Sequence, residues 1–406
     1  MNRKFVIAGI VILIVGVGFF MGYKLTHRED PVYPEIEHAV MYADTSSFPT
    51  FLQMVDLVKN DVNTPKLIFW YRMTSVLSQD EPLLKNAVIV KTSSSFKMQK
   101  DLKKLRRTIF KFMQTYPNAK FTLHLNKDQN ALVWAFLTLI PRERIEHIHW
   151  YEESFGATSF QIGYIRLPKE HALPILERKN PPPHFGINYA LSLLPFYPST
   201  IHMGLKDFVL EKYPEIKKAF AAAQTIDDVD YLKIAASLTD EQKQNLLRLA
   251  GVTPQDLLPF KEGKPVLLYT LGFFADDKQF NQAQINIMNR LLSGEIVPLK
   301  SPENYTWLFK EHPWLTKSTF LRDQLQKKWP FMKPLPKQIP LEILFLTGYM
   351  PDKVFGYSSS LFFALPPERI LFYIQRRNDV YVPLLKQSGI LTDDKIISLG
   401  VKHVSE

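Results

Sequence analysis

Short apolar runs alternate with amphipathic helical patterns along this chain, and that alternation restricts it to an α/β fold built on parallel strands. The first unit is an apolar strand, Ala39–Ala43, followed by Asp44-Thr45-Ser46-Ser47, which offers N-caps, and by an amphipathic helix, Phe48–Lys59. Ala87–Val90 repeats the strand signal. Lys97–Tyr116 reads as a basic amphipathic helix with Leu102, Leu105, Ile109, Phe110 and Met113 as its apolar positions. Strand and helix follow again at Phe121–Leu125 and Leu132–Ile140, and Ile145–Tyr151 is a further strand. Later strands are expected at Val266–Leu271, Tyr305–Phe309 and Ile370–Ile374. Helices are expected over Asp207–Ala223, interrupted at Pro214, and over Ala283–Leu292. Thr239-x-x-Gln242 is a capping box that opens another helix. The segment Val380–Val401 ends the ordered chain.

At 406 residues the chain can form two domains of ordinary size, and 46% hydrophobic with 22% charged residues marks it as globular. Pro195 and Pro198 mark the boundary between residues 38–195 and 196–378. No cysteine is present, which excludes disulfides, thiolate metal sites and a lipoprotein anchor. A net charge of +10 suits anionic membranes, anionic glycolipids or nucleic acid, but no nucleic-acid motif accompanies it. The KKLRR run within Lys97–Tyr116 is either a solvated face or a contact for lipid phosphate.

From Phe5 to Tyr23 the chain has 19 residues without a charge. As a helix they would span roughly 28 Å, close to a bilayer's hydrocarbon core. No A-x-A site follows, so residues 1–24 are expected to be a retained single-pass anchor, with 25–37 as a linker. Arg3 and Lys4 before the run balance Lys24 and Arg28 after it, so the positive-inside rule leaves the membrane face open.

Three places carry candidate chemistry. The stretch Pro340–Pro366 has one acid, Glu342, in an apolar run, then a turn at Pro351-Asp352-Lys353, then Ser358-Ser359-Ser360 before an apolar helix start. An acid for ribose hydroxyls and a serine-capped N-terminus for phosphate make half of a nucleotide site; from this stretch alone, a buried strand, a turn and an ordinary capped helix are the plainer reading. Glu152-Glu153 is a carboxylate pair, whose members can raise each other's pKa and so tune a base. Strand alternation puts Glu153 on the face of His147, His149 and Tyr151, and Glu152 on the other. The two histidines lack a third metal ligand and read as neutral strand residues. Asp228-Val229-Asp230 has the form of a metal-binding D-x-D but sits at a polar helix start. His312, before Pro313, can donate a proton or hydrogen bond to a leaving phosphate.

With Lys310-Glu311-His312-Pro313 and the element Glu342…Ser359-Ser360, the chain resembles the bacterial GT-B sialyltransferases of glycosyltransferase family 80. The resemblance runs from about Val40 to the C-terminus and is most specific over LTGYMPDKVFGYSSSLFFALP. It implies two Rossmann-like domains facing a cleft, with the last segment, 379–406, packed back on the first domain. It implies metal-independent, inverting transfer of sialic acid from CMP-N-acetylneuraminic acid to a galactose-terminated glycan. Glu153 would be the base, although Ser154 stands where the family has glycine, which leaves Glu152 open as well. His312 would serve the leaving phosphate, Lys310 the cytosine, Glu342 the ribose, and Ser359 and Ser360 the phosphate. Phe274, with Phe273 as its rival, would be the aromatic that moves over the acceptor. Two other readings stay open: a transferase using another CMP-activated acidic sugar, and a membrane-tethered glycan-binding protein without catalysis.

Overall fold

The apolar runs become the strands of two parallel sheets in a computed structural model of the chain. It describes residues 35–399 apart from 47, 61, 72–76, 78–80, 93–97, 154–192, 273–277, 300, 312–319, 337–338, 376–378 and 380. The first sheet holds β1 (His38–Asp44), β2 (Lys66–Trp70), β3 (Ala87–Ile89), β4 (Lys120–Asn126), β5 (Ile145–Tyr151), β6 (Ser199–Met203) and β7 (Thr225–Asp228). Its order is β3-β2-β1-β4-β5-β6-β7. The second holds β8 (Val266–Thr270), β9 (Thr306–Lys310), β10 (Met332–Pro334), β11 (Lys353–Tyr357), β12 (Ile370–Gln375) and β13 (Ile396–Ser398), in the order β10-β9-β8-β11-β12-β13. Every strand pairing among the described residues is parallel. Strand order reverses beside β1 and β4 in the first sheet and beside β8 and β11 in the second. In doubly wound sheets such reversals open the crevice where ligands bind, outside the carboxyl ends of the strands.

Both faces of a parallel sheet are covered, so its central strands are apolar throughout. β8 and β9 are buried at every residue, and α8 (Lys278–Leu292) and α9 (Phe320–Lys328) pack on them through Met288, Leu291 and Leu325. One face of the first sheet packs Met41, Leu67, Phe121, Leu123, Ile148 and Trp150 against α2 (Met98–Thr115) and α3 (Asn130–Leu137), through Leu105, Ile109 and Phe136 among others. α4 (Lys206–Lys212) and α5 (Pro214–Phe220) close the same face through Val209, Ile216 and Phe220, and Pro214 does break the helical stretch in two. The other face carries α1 (Phe48–Lys59), buried along nearly its whole length. An amphipathic helix on a single sheet would leave one side wet. α1 does not, because α7 (Asp240–Leu249) and α10 (Leu341–Leu346) cover its back, so that Phe51, Leu52 and Leu57 share a core with Leu246, Leu247, Ile343 and Leu344. This apolar seam joins the two halves. Arg248 adds a two-pronged ion pair to Glu81, at 2.6 and 2.7 Å, worth about 1 kcal/mol or less at so exposed a site.

The boundary expected at 195/196 falls elsewhere. β6 and β7 belong to the first sheet, so the change of sheet comes between Asp228 and Val266, across α6 (Tyr231–Ser237) and α7. The prolines at 195 and 198 only punctuate a crossover. The last segment also differs from expectation: β13 pairs with β12 and extends the second sheet. α11 (Tyr381–Gln387) packs on the short 3-10 helix Ser360–Ala364 through Tyr381 and Phe363. The apolar stretch that carries Glu342 is the short helix α10 rather than a strand. The capping box at Thr239 and Gln242 is present in both directions. Asp228 ends β7, and Asp230 caps α6 by accepting from the Leu232 and Lys233 amides.

Close sheet packing fixes one glycine. Gly356, in β11, has φ +145, and a Cβ there would lie 2.2 Å from both the carbonyl oxygen and the hydroxyl of Thr270 on β8. Only glycine lets these two strands approach at the second reversal. The apolar run Phe5–Tyr23 and the linker lie outside the described residues. Among the described residues no helix is long and apolar enough to cross a membrane.

Candidate active site

At the carboxyl end of the first sheet, beside the reversal, the strands finish in polar residues: Asp44 on β1 and Asn126 on β4. Both are completely buried. Asp44 Oδ1 accepts from the Thr45 amide at 2.7 Å, the Ser46 amide at 3.1 Å and Asn126 Nδ2 at 2.9 Å. Its Oδ2 accepts from the amide and hydroxyl of Thr50 at 3.0 and 2.9 Å, which ties the first turn of α1 to the strand end. Burial, helped by the nearby Glu153 charge and opposed by the Asn126, Ser46 and Thr50 donors, leaves the Asp44 carboxyl raised to about 7.

Asn126 joins the two acids. Its Oδ1 accepts from the Asp128 amide at 2.9 Å, so its Nδ2 must face the other way. There it donates to Asp44 and also to Glu153 Oε2 at 3.1 Å. Gln129 Nε2 donates to the same Glu153 oxygen. The Glu153 amide donates to Asp128 Oδ2 at 2.8 Å, and Asp128 is ion-paired with the wholly buried Lys127 at 2.7 Å. The Glu153 carboxylate is therefore held from its side chain and from its backbone while staying half-buried. Glu152, by contrast, is completely buried. A group that must meet a substrate hydroxyl needs the first environment, not the second. None of Asp44, Asn126, Asp128 and Gln129 is marked as a site residue by the sequence reading, where Asp44 figures only as an N-cap candidate. The available signal was position: each strand end, in MYAD and LHLN, turns polar where an apolar run stops.

Next to this group, on the opposite side of the strands from Trp150, lies a column of stacked rings. His124 stacks on His149 at 4.4 Å, His149 on His202 at 5.2 Å, and Tyr151 on His202 at 4.5 Å. His149 Nδ1 meets His202 Nε2 at 2.9 Å, and His147 Nε2 meets Thr200 Oγ1 at 2.9 Å. Burial drives His149 down to about 2 and His202 to about 4, which keeps the column neutral near neutral pH. Among the described residues no three His, Cys, Asp or Glu side chains are grouped to hold a metal ion.

The second sheet brings its candidates to its own carboxyl end. Lys310 is the last residue of β9; it is 5% exposed and donates to the Pro336 carbonyl at 2.8 Å. Glu342 sits in the first turn of α10. Burial pushes its carboxyl up, its own backbone amide pulls it down, and Lys310 pulls it down further, which places the two side chains in one electrostatic neighbourhood. Just beyond β11, Ser359 accepts from the Leu361 amide at 3.2 Å and caps the 3-10 helix that begins at Ser360. Ser358 is held behind them. The Tyr373 hydroxyl lies 3.0 Å from Asp379 and 2.9 Å from Ser358 Oγ, so its single proton goes to the carboxylate and Ser358 donates to the phenol. His312, Ser154, Phe273 and Phe274 lie outside the described residues.

Residues 197–390 match a family model described as Sialyltransferase PMO188. Among curated proteins none matches the sequence. Among solved structures, the fold is similar to a 2,6-sialyltransferase from a Photobacterium species, solved in a ternary complex with the donor product CMP and the acceptor substrate lactose. The TM-score is 0.70 at 19% identity, over 89% of this chain and 78% of that one. It is similar also to an α/β-galactoside α-2,3-sialyltransferase from Photobacterium phosphoreum, with TM-score 0.72 and 19% identity over 89% and 99% of the two chains. The GT-B domain of a Photobacterium damselae sialyltransferase gives TM-score 0.67 at 17% identity, covering 89% of this chain and 99% of that one. At such identities these structures speak for the fold, and the family segment speaks for the chemistry. On the two together, the chain is a glycosyltransferase that resembles the bacterial GT-B sialyltransferases.

Proposed function

We propose that the chain transfers sialic acid, with inversion, from CMP-N-acetylneuraminic acid to a terminal galactoside of a glycolipid or lipooligosaccharide. The observation that carries this reading is a held but accessible carboxylate, Glu153, one strand from the reversal of the first sheet and tied back to it by Asn126, matched by a serine-capped turn at the reversal of the second. Glu153 takes the proton of the acceptor hydroxyl, and the freed oxygen attacks the anomeric carbon of the donor. The bond from that carbon to the phosphate oxygen breaks, and its electron pair stays on CMP. Ser359, Ser360 and His312 receive the phosphate, Glu342 the ribose and Lys310 the cytosine. A direct displacement of this kind inverts the anomeric centre. Orientation and transition-state charge stabilisation carry it, without a metal.

The run Phe5–Tyr23 holds the enzyme on the cell membrane as a single pass, where a lipid-linked acceptor is presented. The decisive experiment is CMP release from CMP-N-acetylneuraminic acid with and without lactose, followed by the mass of the product. Lactose is chosen because the Photobacterium 2,6-enzyme was solved with it as acceptor substrate. Lactose-dependent CMP release with sialyllactose as product supports the reading. No release with this donor, but release with another CMP-linked acidic sugar, reassigns the donor. CMP-independent galactoside binding without release leaves a glycan-binding protein.

A further inference from the structure

We propose that the exposed face of α2 docks the first sheet on an anionic lipid bilayer. α2 buries Leu105, Ile109, Phe112 and Met113 against the sheet. Its single acid, Asp101, points inward at 3% exposure. The outer face carries Lys100, Lys103, Lys104, Arg107 and Lys111, all exposed. At 100° per residue these five cations and Phe110 fall within an arc of about 120°, and they run for about 17 Å along the helix. Arg106 is not part of this face: its guanidinium lies 4.0 Å over the Trp134 ring and donates to Thr138.

Two features separate this face from an ordinary solvated one. A solvated helix face carries charges of both signs, which support one another at i,i+4 spacing. Here one sign is repeated and no acid shares the arc. Second, Phe110 is 52% exposed, although the sequence pattern assigns it to the buried side. Cations flanking an exposed aromatic on an otherwise docked helix suit a bilayer surface: the cations meet lipid phosphate and the ring enters the headgroup boundary. A bilayer is also within reach by the sequence reading, since the linker 25–37 spans at most about 45 Å when extended. This inference does not rest on sialyl transfer.

The absence of cysteine allows the test to be made on the full chain. Gln114→Cys, on the exposed face, is labelled with an environment-sensitive dye, and Glu295→Cys, in the second half, serves as the distant control. Each is placed in vesicles of phosphatidylcholine alone or with one third phosphatidylglycerol, with a lipid-borne quencher. The expected result is a blue shift and quenching at position 114 with the anionic vesicles only, reversed by high salt, and no change at 295. Neutralising Lys103→Gln, Arg107→Gln and Lys111→Gln together should weaken the docking equilibrium on the order of a hundredfold, about fivefold per cation. Quenching equal in both lipids, or unchanged by salt and by the three substitutions, would overturn the proposal. So would a dye that stays in water with vesicles but responds to added duplex DNA, which would assign the face to nucleic acid. The salt arm uses the unsubstituted helix, so the test survives a failure of the triple variant to fold.

Discussion

Replacing Glu153 by glutamine separates chemistry from structure at this site. Among the described residues, the two side chains that donate to the Glu153 carboxylate, Asn126 and Gln129, converge on the same oxygen, Oε2. An amide oxygen in that place accepts both, and the backbone bond to Asp128 is untouched. The fold should therefore lose about 1 kcal/mol or less, the ordinary worth of exchanging one hydrogen bond for a weaker one. The proton acceptor is gone, however, and turnover should fall by about 10²–10⁴, equivalent to roughly 3–5 kcal/mol in the barrier. CMP affinity should not change, because the proposed nucleotide element lies on the second sheet. Glu152→Gln is the counterpart. Its side chain is wholly buried, so any effect should show as a lower melting temperature with turnover retained by the folded fraction. Lactose-dependent CMP release, thermal unfolding and CMP calorimetry on both variants decide the matter. A folded Glu153→Gln protein that turns over normally would remove Glu153 as the base. A folded Glu152→Gln protein that loses as much activity would show that the register of the acidic pair is shifted.

Ser359→Ala and Ser360→Ala should each weaken CMP binding by about 1.5–3 kcal/mol, the worth of a hydrogen bond to a charged oxygen, as read by calorimetry. Ser359→Ala should also destabilise its turn by about 0.5–2 kcal/mol, since it removes the cap on the Leu361 amide; unchanged affinity in both variants would take the pair out of the site. Asp44 should give stability a pH dependence of defined sign: its carboxyl moves from 3.8 to about 7 on folding, so its contribution is present at low pH and lost as pH rises through about 7. Urea midpoints of wild type and Asp44→Asn at pH 5 and pH 8 should show the wild-type advantage shrinking by about 2–3 kcal/mol; a constant difference would mean that Asp44 is ionised across the range.

Much of the fold was legible because buried parallel strands are apolar throughout and short. β1, β4, β5, β8, β9 and β12 all lie on the runs that mark them, and the Thr239 box and the Pro214 break are local signals that tertiary structure did not override. β7 was not legible. Its sequence, TIDD, is an edge strand with no buried residue, so it shows neither an apolar run nor a clean alternation. Missing it, and β6 with it, moved the expected boundary to the prolines. α10 showed only as an apolar run, because six residues, nearly all buried, cannot show a helical period. Phe110 was misplaced because it adjoins Ile109 in an apolar pair, although at 100° per residue it falls about 60° outside the arc that Leu105, Ile109, Phe112 and Met113 share. The Asp44–Asn126 bond joins positions 82 residues apart, which no local pattern can reveal.

The sheet topology selects site residues on grounds independent of the family resemblance. A reversal of strand order sends successive crossovers to opposite sides and leaves a crevice at the carboxyl ends. In the first sheet that crevice lies beside β1 and β4, whose final residues are Asp44 and Asn126. Glu153 follows β5, one strand away, and is tied back to the crevice by Asn126. In the second sheet the crevice lies beside β8 and β11, and the serine cap begins two residues after β11 ends. Lys310 ends β9, again one strand away, and Gly356 permits the close strand contact at that reversal. Chain topology and sequence motif thus select overlapping residues on separate grounds. Where they differ, over Asp44 and Asn126, topology adds what the motif lacks: the groups that tie the half-buried Glu153 carboxylate to the crevice, while its neighbour Glu152 is fully buried.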